Sequence, residues 1–147
     1  MKNLAILDDA ARAPHMFAWN GPIAPDRLDA WLRRHDLRSK CPPDLVRLWA
    51  ETGGGDFFDS ETILGPFANA ESGDDVSGAN EFLRSRGLPA NLLVFCRGAF
   101  TGAVDVDGRE YVDLEERGLR VRGRYASLDA WYFATERREF AVRYGIK

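Results

Sequence analysis

Carboxylate side chains are concentrated in particular parts of this 147-residue chain. Residues 48–83 hold eight acidic side chains and no Lys or Arg, whereas residues 117–147 hold eight basic and three acidic ones. A second acidic cluster, residues 105–116, has six carboxylates and one Arg. Charge of one sign attracts a partner of the opposite sign and speeds their encounter. The pattern predicts a surface that binds something basic, with a solvated acidic loop as the alternative.

The candidate partner-binding residues come from these two clusters, together with one aromatic side chain that could anchor a partner. They are Asp56, Phe58, Asp59, Glu61, Glu71, Asp74, Asp75, Glu81, Asp105, Asp107 and Glu110. Phe57 and Phe58 follow a glycine turn, and adjacent aromatic residues at such a place usually have at least one member in the core. The pair can therefore supply an apolar anchor, such as Phe58, only if one of its two rings is exposed.

Residues that could support catalysis or bind a metal are sparse. The chain has two histidines, His15 and His35, and two cysteines, Cys41 and Cys96. Neither cysteine has the spacing of a metal or redox motif, and no serine lies in a nucleophile-elbow or phosphate-loop sequence. We therefore predict no catalytic residue, no metal and no cofactor. The alternative is a small enzyme whose site is assembled from distant residues such as His35, Cys96 and Glu51 in one deep pocket.

Three arginines, Arg120, Arg122 and Arg124, occupy alternate positions of a predicted strand, so we place them on one face. Such a row could follow a nucleic-acid backbone, which makes an RNA-binding protein a further alternative. We favour a solvated face on which carboxylates such as Asp113 or Glu115 pair with the arginines. Because the chain has a net charge of −3, we expect no direct nucleic-acid binding.

The composition is that of one globular domain spanning residues 1–147. The chain is 45% hydrophobic and 29% charged, and a chain of this length can fold without a disulfide or a metal. Its longest apolar runs have four to five residues, which is too short to cross a membrane. The first residues do not form a signal peptide, because their apolar stretch is short and meets two carboxylates. We therefore predict a cytoplasmic protein with reduced thiols.

Helix signals are clearest in the first half of the chain. Pro25 suits the first turn of a helix that carries Trp31 and His35 on its apolar stripe. We expect Trp31 in the core and His35 as a partly buried packing residue. Residues 42–44 begin a second helix in the same way, and Trp49 lies on its inner stripe.

Glycines and a serine mark other predicted helix boundaries. Gly53 is placed to end the second helix in the left-handed conformation. Residues 65–78 are predicted as loop and residues 79–86 as a third helix. Ser127 begins a final helix that is predicted to run to Tyr144.

Strands dominate the second half of the chain. Strands are predicted at residues 92–96, 102–106, 109–114 and 119–125, with shorter extended segments at 57–58 and 61–64. Asp107-Gly108 is a signal for a two-residue hairpin, which would place Asp105 directly opposite Glu110, an unfavourable pair of like charges. The order of elements predicts an α+β fold, an antiparallel β-sheet meander packed against N-terminal and C-terminal helices.

Several stretches of the sequence together resemble a known superfamily. A helix over Pro25–Leu37 leads to Cys41-Pro42-Pro43-Asp44-Leu45-Val46-Arg47-Leu48-Trp49 and then to Glu51-Thr52-Gly53-Gly54-Gly55. Farther along lie Asn91-Leu92-Leu93-Val94-Phe95, the 102–107 strand and Ser127-Leu128-Asp129-Ala130-Trp131. This order resembles the SMI1/KNR4 (SUKH) superfamily over roughly residues 20–135, with the sharpest match at residues 42–55.

The resemblance implies both a fold and a function. It implies an α+β domain without catalytic residues of its own. Bacterial members are largely immunity proteins that bind and block a cognate toxin of a polymorphic toxin system. Such toxins are delivered by secretion systems and are often nucleases or other nucleic-acid-targeting enzymes. An acidic surface agrees with this function, because it can occupy a basic active-site groove.

We therefore predict an antitoxin that neutralises a secreted toxin by stoichiometric occlusion through its acidic surface. The alternative within the same superfamily is an interaction module that binds a cellular protein. We expect no direct nucleic-acid or membrane contact. The sequence leaves open the oligomeric state, for which a monomer is the expectation, and which of the two acidic clusters forms the interface.

Overall fold

One antiparallel sheet of seven strands organises the structure, a computed structural model that describes residues 2–147. The strands follow one another across the sheet in chain order. They are β1 (Phe17–Trp19), β2 (Gly55–Phe57), β3 (Glu61–Ile63), β4 (Leu92–Arg97), β5 (Thr101–Asp105), β6 (Glu110–Glu115) and β7 (Arg120–Tyr125). The predicted α+β class, with a meander packed against helices from both ends of the chain, is confirmed.

Six α-helices within residues 2–147 precede, interrupt and follow the sheet. They are α1 (Ala5–Arg12), α2 (Pro25–Arg34), α3 (Pro43–Thr52), α4 (Val76–Ser85), α5 (Leu128–Ala134) and α6 (Glu136–Phe140). The prolines at the starts of α2 and α3 are as predicted, and Gly53 ends α3 with a left-handed φ of 70°. His35 follows α2 and is exposed, rather than partly buried, although its ring packs on Trp31.

Helix α4 begins three residues earlier than predicted. Asp75 is its N-cap, and the Asp75 Oδ1 atom accepts a hydrogen bond from the Gly78 N–H at 3.0 Å. This bond satisfies one of the free N–H groups of the first turn, so the helix starts at Val76 and not at Ala79. On its inner face, Asn80 accepts from the Val94 N–H at 2.7 Å and donates to the Val94 carbonyl at 2.8 Å. The side chain thereby fixes α4 against β4.

The two ends of the chain also differ from the prediction. The final helix is interrupted at Thr135, whose φ of −116° and ψ of −88° lie outside the helical region, and α6 follows as a separate helix. Helix α1 and strand β1 were not predicted. The Ala5 N–H at the start of α1 donates to Asp129 at 2.9 Å, and Trp19 pairs with Gly55 in the sheet.

The hairpin between β5 and β6 has a longer loop than predicted. Asp105 does lie opposite Glu110, but four residues, 106–109, connect the strands. The Asp105 carboxylate accepts hydrogen bonds from the Asp107 N–H at 3.1 Å and the Gly108 N–H at 3.3 Å, which closes the turn. The Arg124 guanidinium lies 3.2 Å from Asp105 and 3.6 Å from Glu110. A cation therefore separates the like charges.

The tryptophans predicted to be core residues are buried. Trp31 and Trp49 meet edge to face with ring centroids 5.5 Å apart. The Trp49 Nε1–H donates to the Leu64 carbonyl at 2.8 Å, which links α3 to the chain just after β3. Both cysteines are free and buried. None of the helices in residues 2–147 is long and apolar enough to cross a membrane.

Trp49→Phe tests the link between α3 and β3. Loss of the indole N–H leaves the buried Leu64 carbonyl without its donor, so we expect the free energy of unfolding to fall by about 1–3 kcal/mol. Trp49→Ala also creates a cavity and should cost about 3–5 kcal/mol. The measurement is urea denaturation followed by circular dichroism. The control is Trp19→Phe at a half-buried position; if Trp49→Phe costs no more than this control, the hydrogen bond is unimportant.

Candidate functional site

Two exposed aspartates lie on the hairpin formed by β2 and β3. Asp56 is in the middle of β2, opposite Thr62, whose hydroxyl donates to the Asp56 carboxylate at 2.8 Å. Asp59 lies in the turn with a left-handed φ of 63° and accepts a hydrogen bond from the Tyr144 hydroxyl at 3.2 Å. An aspartate tolerates this left-handed conformation better than most residues do.

The loop between β3 and α4 supplies two more exposed carboxylates, Glu71 and Asp74. Asp74 lines the same groove as Asp56 on the hairpin. Arg97 also lines that groove, but its guanidinium is paired with Glu116 at 2.5 Å. We call Asp56, Asp59, Glu71 and Asp74 the acidic surface. Among residues 2–147, none of these four forms an ion pair with Lys, Arg or His.

Glu81 is exposed but lines a different groove, between α4 and the end of α2, with Trp31 and His35. Beside it, Phe82 is 48% exposed. Sequence reasoning missed Phe82 as an exposed aromatic residue. The available signal was the inner stripe of α4, which contains Val76 and Leu83 and leaves Phe82 outside it.

Three of the candidate binding residues between residues 48 and 83 have structural roles instead. Phe58 is 0% exposed, and its ring packs on Phe140 at 5.4 Å, so it cannot serve as a surface anchor. Asp75 is buried as the N-cap of α4. Glu61 is also buried, and its carboxylate accepts hydrogen bonds from the N–H groups of Ala99 and Phe100 at 2.8 and 3.2 Å. Burial removes these three side chains from a partner's reach.

Glu61 shares its buried position with a second carboxyl group, that of Glu136. Burial, the hydrogen bond with Glu61 and the charge of Glu61 raise the pKa of Glu136 to about 11. Burial also tends to raise the pKa of Glu61, but its hydrogen bonds from Glu136, Ala99, Ser60 and Phe100 outweigh that effect and hold the pKa below its ordinary value. At neutral pH the pair therefore carries one proton, which is bound to Glu136.

The thiol of Cys96 lies next to this pair. Cys96 Sγ is 3.9 Å from a Glu136 carboxyl oxygen, and burial with the nearby carboxylates raises the pKa of the thiol well above its usual value. Cys96, Glu61 and Glu136 are each at most 1% exposed, so no substrate reaches them in this conformation. Sequence reasoning did not find Glu136, because its partner Glu61 is far away in the chain.

The residues proposed for an enzyme site do not come together. His35 is exposed beside α4, and Glu51 is exposed on α3, where it pairs with Arg47 at 2.7 Å. Cys96 is buried in β4. Within residues 2–147, no group of three or more His, Cys, Asp or Glu side chains is arranged to hold a metal ion.

The second acidic cluster is largely neutralised within the fold. Asp105 is buried and pairs with Arg124, which also approaches Glu110. Burial raises the pKa of Asp105, but hydrogen bonds, including those from Asn91 and Arg124, hold it below the ordinary value. In the described part of the chain, Asp107 alone of the three candidate carboxylates in this cluster is exposed without an ion pair.

A β-bulge changes the interpretation of the arginine row on β7. Arg124 lies opposite Val112, whereas Arg120 lies opposite Glu115, with a register shift between them. Because Val112 and Glu115 point to opposite faces of β6, Arg120 and Arg124 also lie on opposite faces. The prediction of a single row on one face is wrong. The predicted pairing is confirmed: Arg122 lies 3.3 Å from Asp113, and Arg120 lies 3.6 Å from Glu115.

No protein-family model matches this chain, and neither does any curated protein sequence. The assignment of a function therefore depends on the geometry of the surface and on the superfamily resemblance.

Some candidate carboxylates are exposed, and others have structural roles inside the fold. The adjacent residues Asp74 and Asp75 represent one of each kind and provide a matched test. Asp75→Ala removes the N-cap of α4 and should lower the free energy of unfolding by about 0.5–2 kcal/mol. Asp74→Ala changes an exposed side chain and should alter it by less than about 0.5 kcal/mol. Urea denaturation followed by circular dichroism measures both. Equal losses would show that the two aspartates have been assigned to the wrong classes.

Proposed function

We propose that this protein is an immunity protein of the SMI1/KNR4 type, which neutralises a cognate secreted toxin by covering a basic active-site surface. The observation that carries the proposal is the acidic surface: Asp56, Asp59, Glu71 and Asp74 are exposed, and none of them forms an ion pair in the described chain. The carboxylates of the second cluster, by contrast, are mostly paired with arginines.

The acidic surface suits a basic partner for electrostatic reasons. Exposed carboxylates on one side of a protein add their fields, and the summed field draws a basic partner toward them. A nuclease or nucleic-acid deaminase has a groove lined by Lys and Arg, because its substrate is a polyanion. Acidic side chains in that groove exclude the substrate and gain the interactions that phosphates otherwise make.

The surface is also held in place before any partner arrives. Asp56 is fixed in a paired strand and by its bond with Thr62, and Asp59 is held by Tyr144. Ordering flexible groups on binding reduces affinity, so a preorganised surface binds more tightly. Helix α4 follows the loop that contains Glu71 and Asp74, and it carries Glu81 and the exposed ring of Phe82. Aromatic residues often contribute much of the binding energy of an interface.

The local structure at the sharpest point of the resemblance supports the same proposal. The resemblance describes a proline-started helix that ends in a glycine turn. Helix α3 begins at Pro43, and Gly53 ends it. The order of the later strands and of the Ser127-capped helix α5 also agrees with the resemblance.

The test is a charge reversal, Asp56→Lys with Glu71→Lys and Asp74→Lys, in cells that express the toxin encoded by the neighbouring gene. Asp59 and Asp75 are left unchanged, because one holds a left-handed turn and the other caps α4. The triple variant should fold, since exposed charges contribute little to stability. It should lose protection, and its association rate with the purified toxin should fall at least about tenfold.

The control reverses three exposed carboxylates elsewhere, Asp8→Lys with Asp26→Lys and Glu139→Lys, so that the change in net charge is the same. This control should protect cells, and its association rate should change less than that of the first variant. The proposal fails if the acidic-surface variant still protects cells and associates with the same rate and salt dependence as the unchanged protein.

A further inference from the structure

The C-terminal part of the chain packs against the turn that carries Asp59. The ring of Phe58 lies 5.4 Å from that of Phe140 and 5.9 Å from that of Tyr144. The Tyr144 hydroxyl reaches the Asp59 carboxylate at 3.2 Å. Helix α6 and the residues after it therefore cover the buried side of the β2–β3 turn.

The first residue of α6 adds a buried carboxyl group to this contact. Glu136 is 0% exposed, its Oε2 atom is buried with no hydrogen-bond partner in the described residues, and it lies beside Glu61, which β3 contributes. Two ionised carboxylates in a buried position repel each other, so the pair needs one proton to remain in contact. Opening of α6 would place Glu136 in water, where its ionised form is stable.

The other groups that face Glu136 do not offer it a cation. β4 contributes the Cys96 thiol, β6 contributes the Asp113 carboxylate, and α5 contributes the Tyr132 hydroxyl. The neighbouring Arg137 is bound to Asp9 of α1 at 2.9 Å. Burial and the carboxylates of Glu61 and Asp113 favour the protonated form of Glu136 and outweigh the hydrogen bond from the Cys96 thiol, which favours the ionised form.

A break between two helices lies directly before Glu136. Thr135 has a non-helical conformation, with φ −116° and ψ −88°, which separates α6 from α5. Helix α5 is held independently, because the ring of Trp131 packs on that of Phe95 at 4.9 Å. Rotation at Thr135, with loss of the Arg137–Asp9 ion pair, would move α6 while α5 stays on the sheet.

We propose that residues 136–144 form a proton-linked latch, which docks on the β2–β3 turn with Glu136 protonated and opens at Thr135 when that proton is lost. Opening exposes the Phe58 ring and frees Asp59 from Tyr144. The latch is a property of this chain alone and does not depend on whether the acidic surface binds a toxin.

The pH dependence of the latch has a definite sign. The pKa of Glu136 is about 11 in the docked state, whereas an exposed glutamate has a pKa of about 4.3. Between these values opening releases one proton. The equilibrium constant for opening should therefore rise by up to about tenfold for each pH unit.

Hydrogen–deuterium exchange of the full chain between pH 6 and 9 tests the latch. Observed rates are divided by the chemical exchange rate at each pH, which leaves the opening equilibrium. Amides of residues 136–144 should show an opening that increases with pH, while amides of β4 and β5 should not. Glu136→Gln, which is neutral at every pH, should remove the slope in residues 136–144. Glu139→Gln, on the exposed side of the same helix, should retain it.

Three results would overturn the proposal. If opening of residues 136–144 is independent of pH in the unchanged protein, no proton is linked to docking, and this result stands even if Glu136→Gln does not fold. If β4 and β5 open with the same slope, the event is global unfolding and not a latch. If Glu136→Gln keeps the slope, another group titrates.

Discussion

A close crossing of backbone segments at Gly53, Gly54, Gly55 and Gly65 fixes the part of the molecule that carries the acidic surface. A Cβ atom at Gly53 would lie 2.3 Å from the Gly21 carbonyl oxygen, and one at Gly65 would lie 2.0 Å from the Gly53 carbonyl oxygen. Real Cβ atoms do not approach oxygen so closely, so side chains are excluded. Three segments meet at this point: the end of α3, strand β2 and the start of the loop between β3 and α4. The hairpin that carries Asp56 and the loop that carries Asp74 therefore both start from this close backbone contact.

The structure divides its carboxylates into two kinds that look alike in the sequence. Some are bound inside the fold: Asp9 accepts from the Tyr132 hydroxyl at 2.7 Å, and Asp44 accepts from the Leu128 N–H at 2.9 Å. These groups satisfy donors that burial would otherwise leave without a partner. Asp56 and Asp74 satisfy no buried donor and form no ion pair in the described chain, although Arg97, which is paired with Glu116, lines the groove that they share. Carboxylates of this second kind are available to a partner.

Local signals in the sequence predicted the local parts of the fold. Proline at a helix start and glycine at a helix end located α2 and α3, because both effects act within one turn of helix. The start of α4 and the burial of Glu61 depend on contacts that no periodicity reveals. Glu61 is buried because the turn after β4 and the distant α6 surround it with donors. The bulge in β7 likewise depends on the register with β6, which alternation within one strand cannot give.

Hydrogen–deuterium exchange of the complex with the toxin tests the central claim most directly, because it locates the interface without a substitution. Slower exchange on binding should appear in β2, in the β2–β3 turn and in the loop containing Glu71 and Asp74. The exposed strand β7 should exchange as it does in the free protein. Protection confined to β7, or to any surface that leaves residues 55–75 unchanged, would contradict the account.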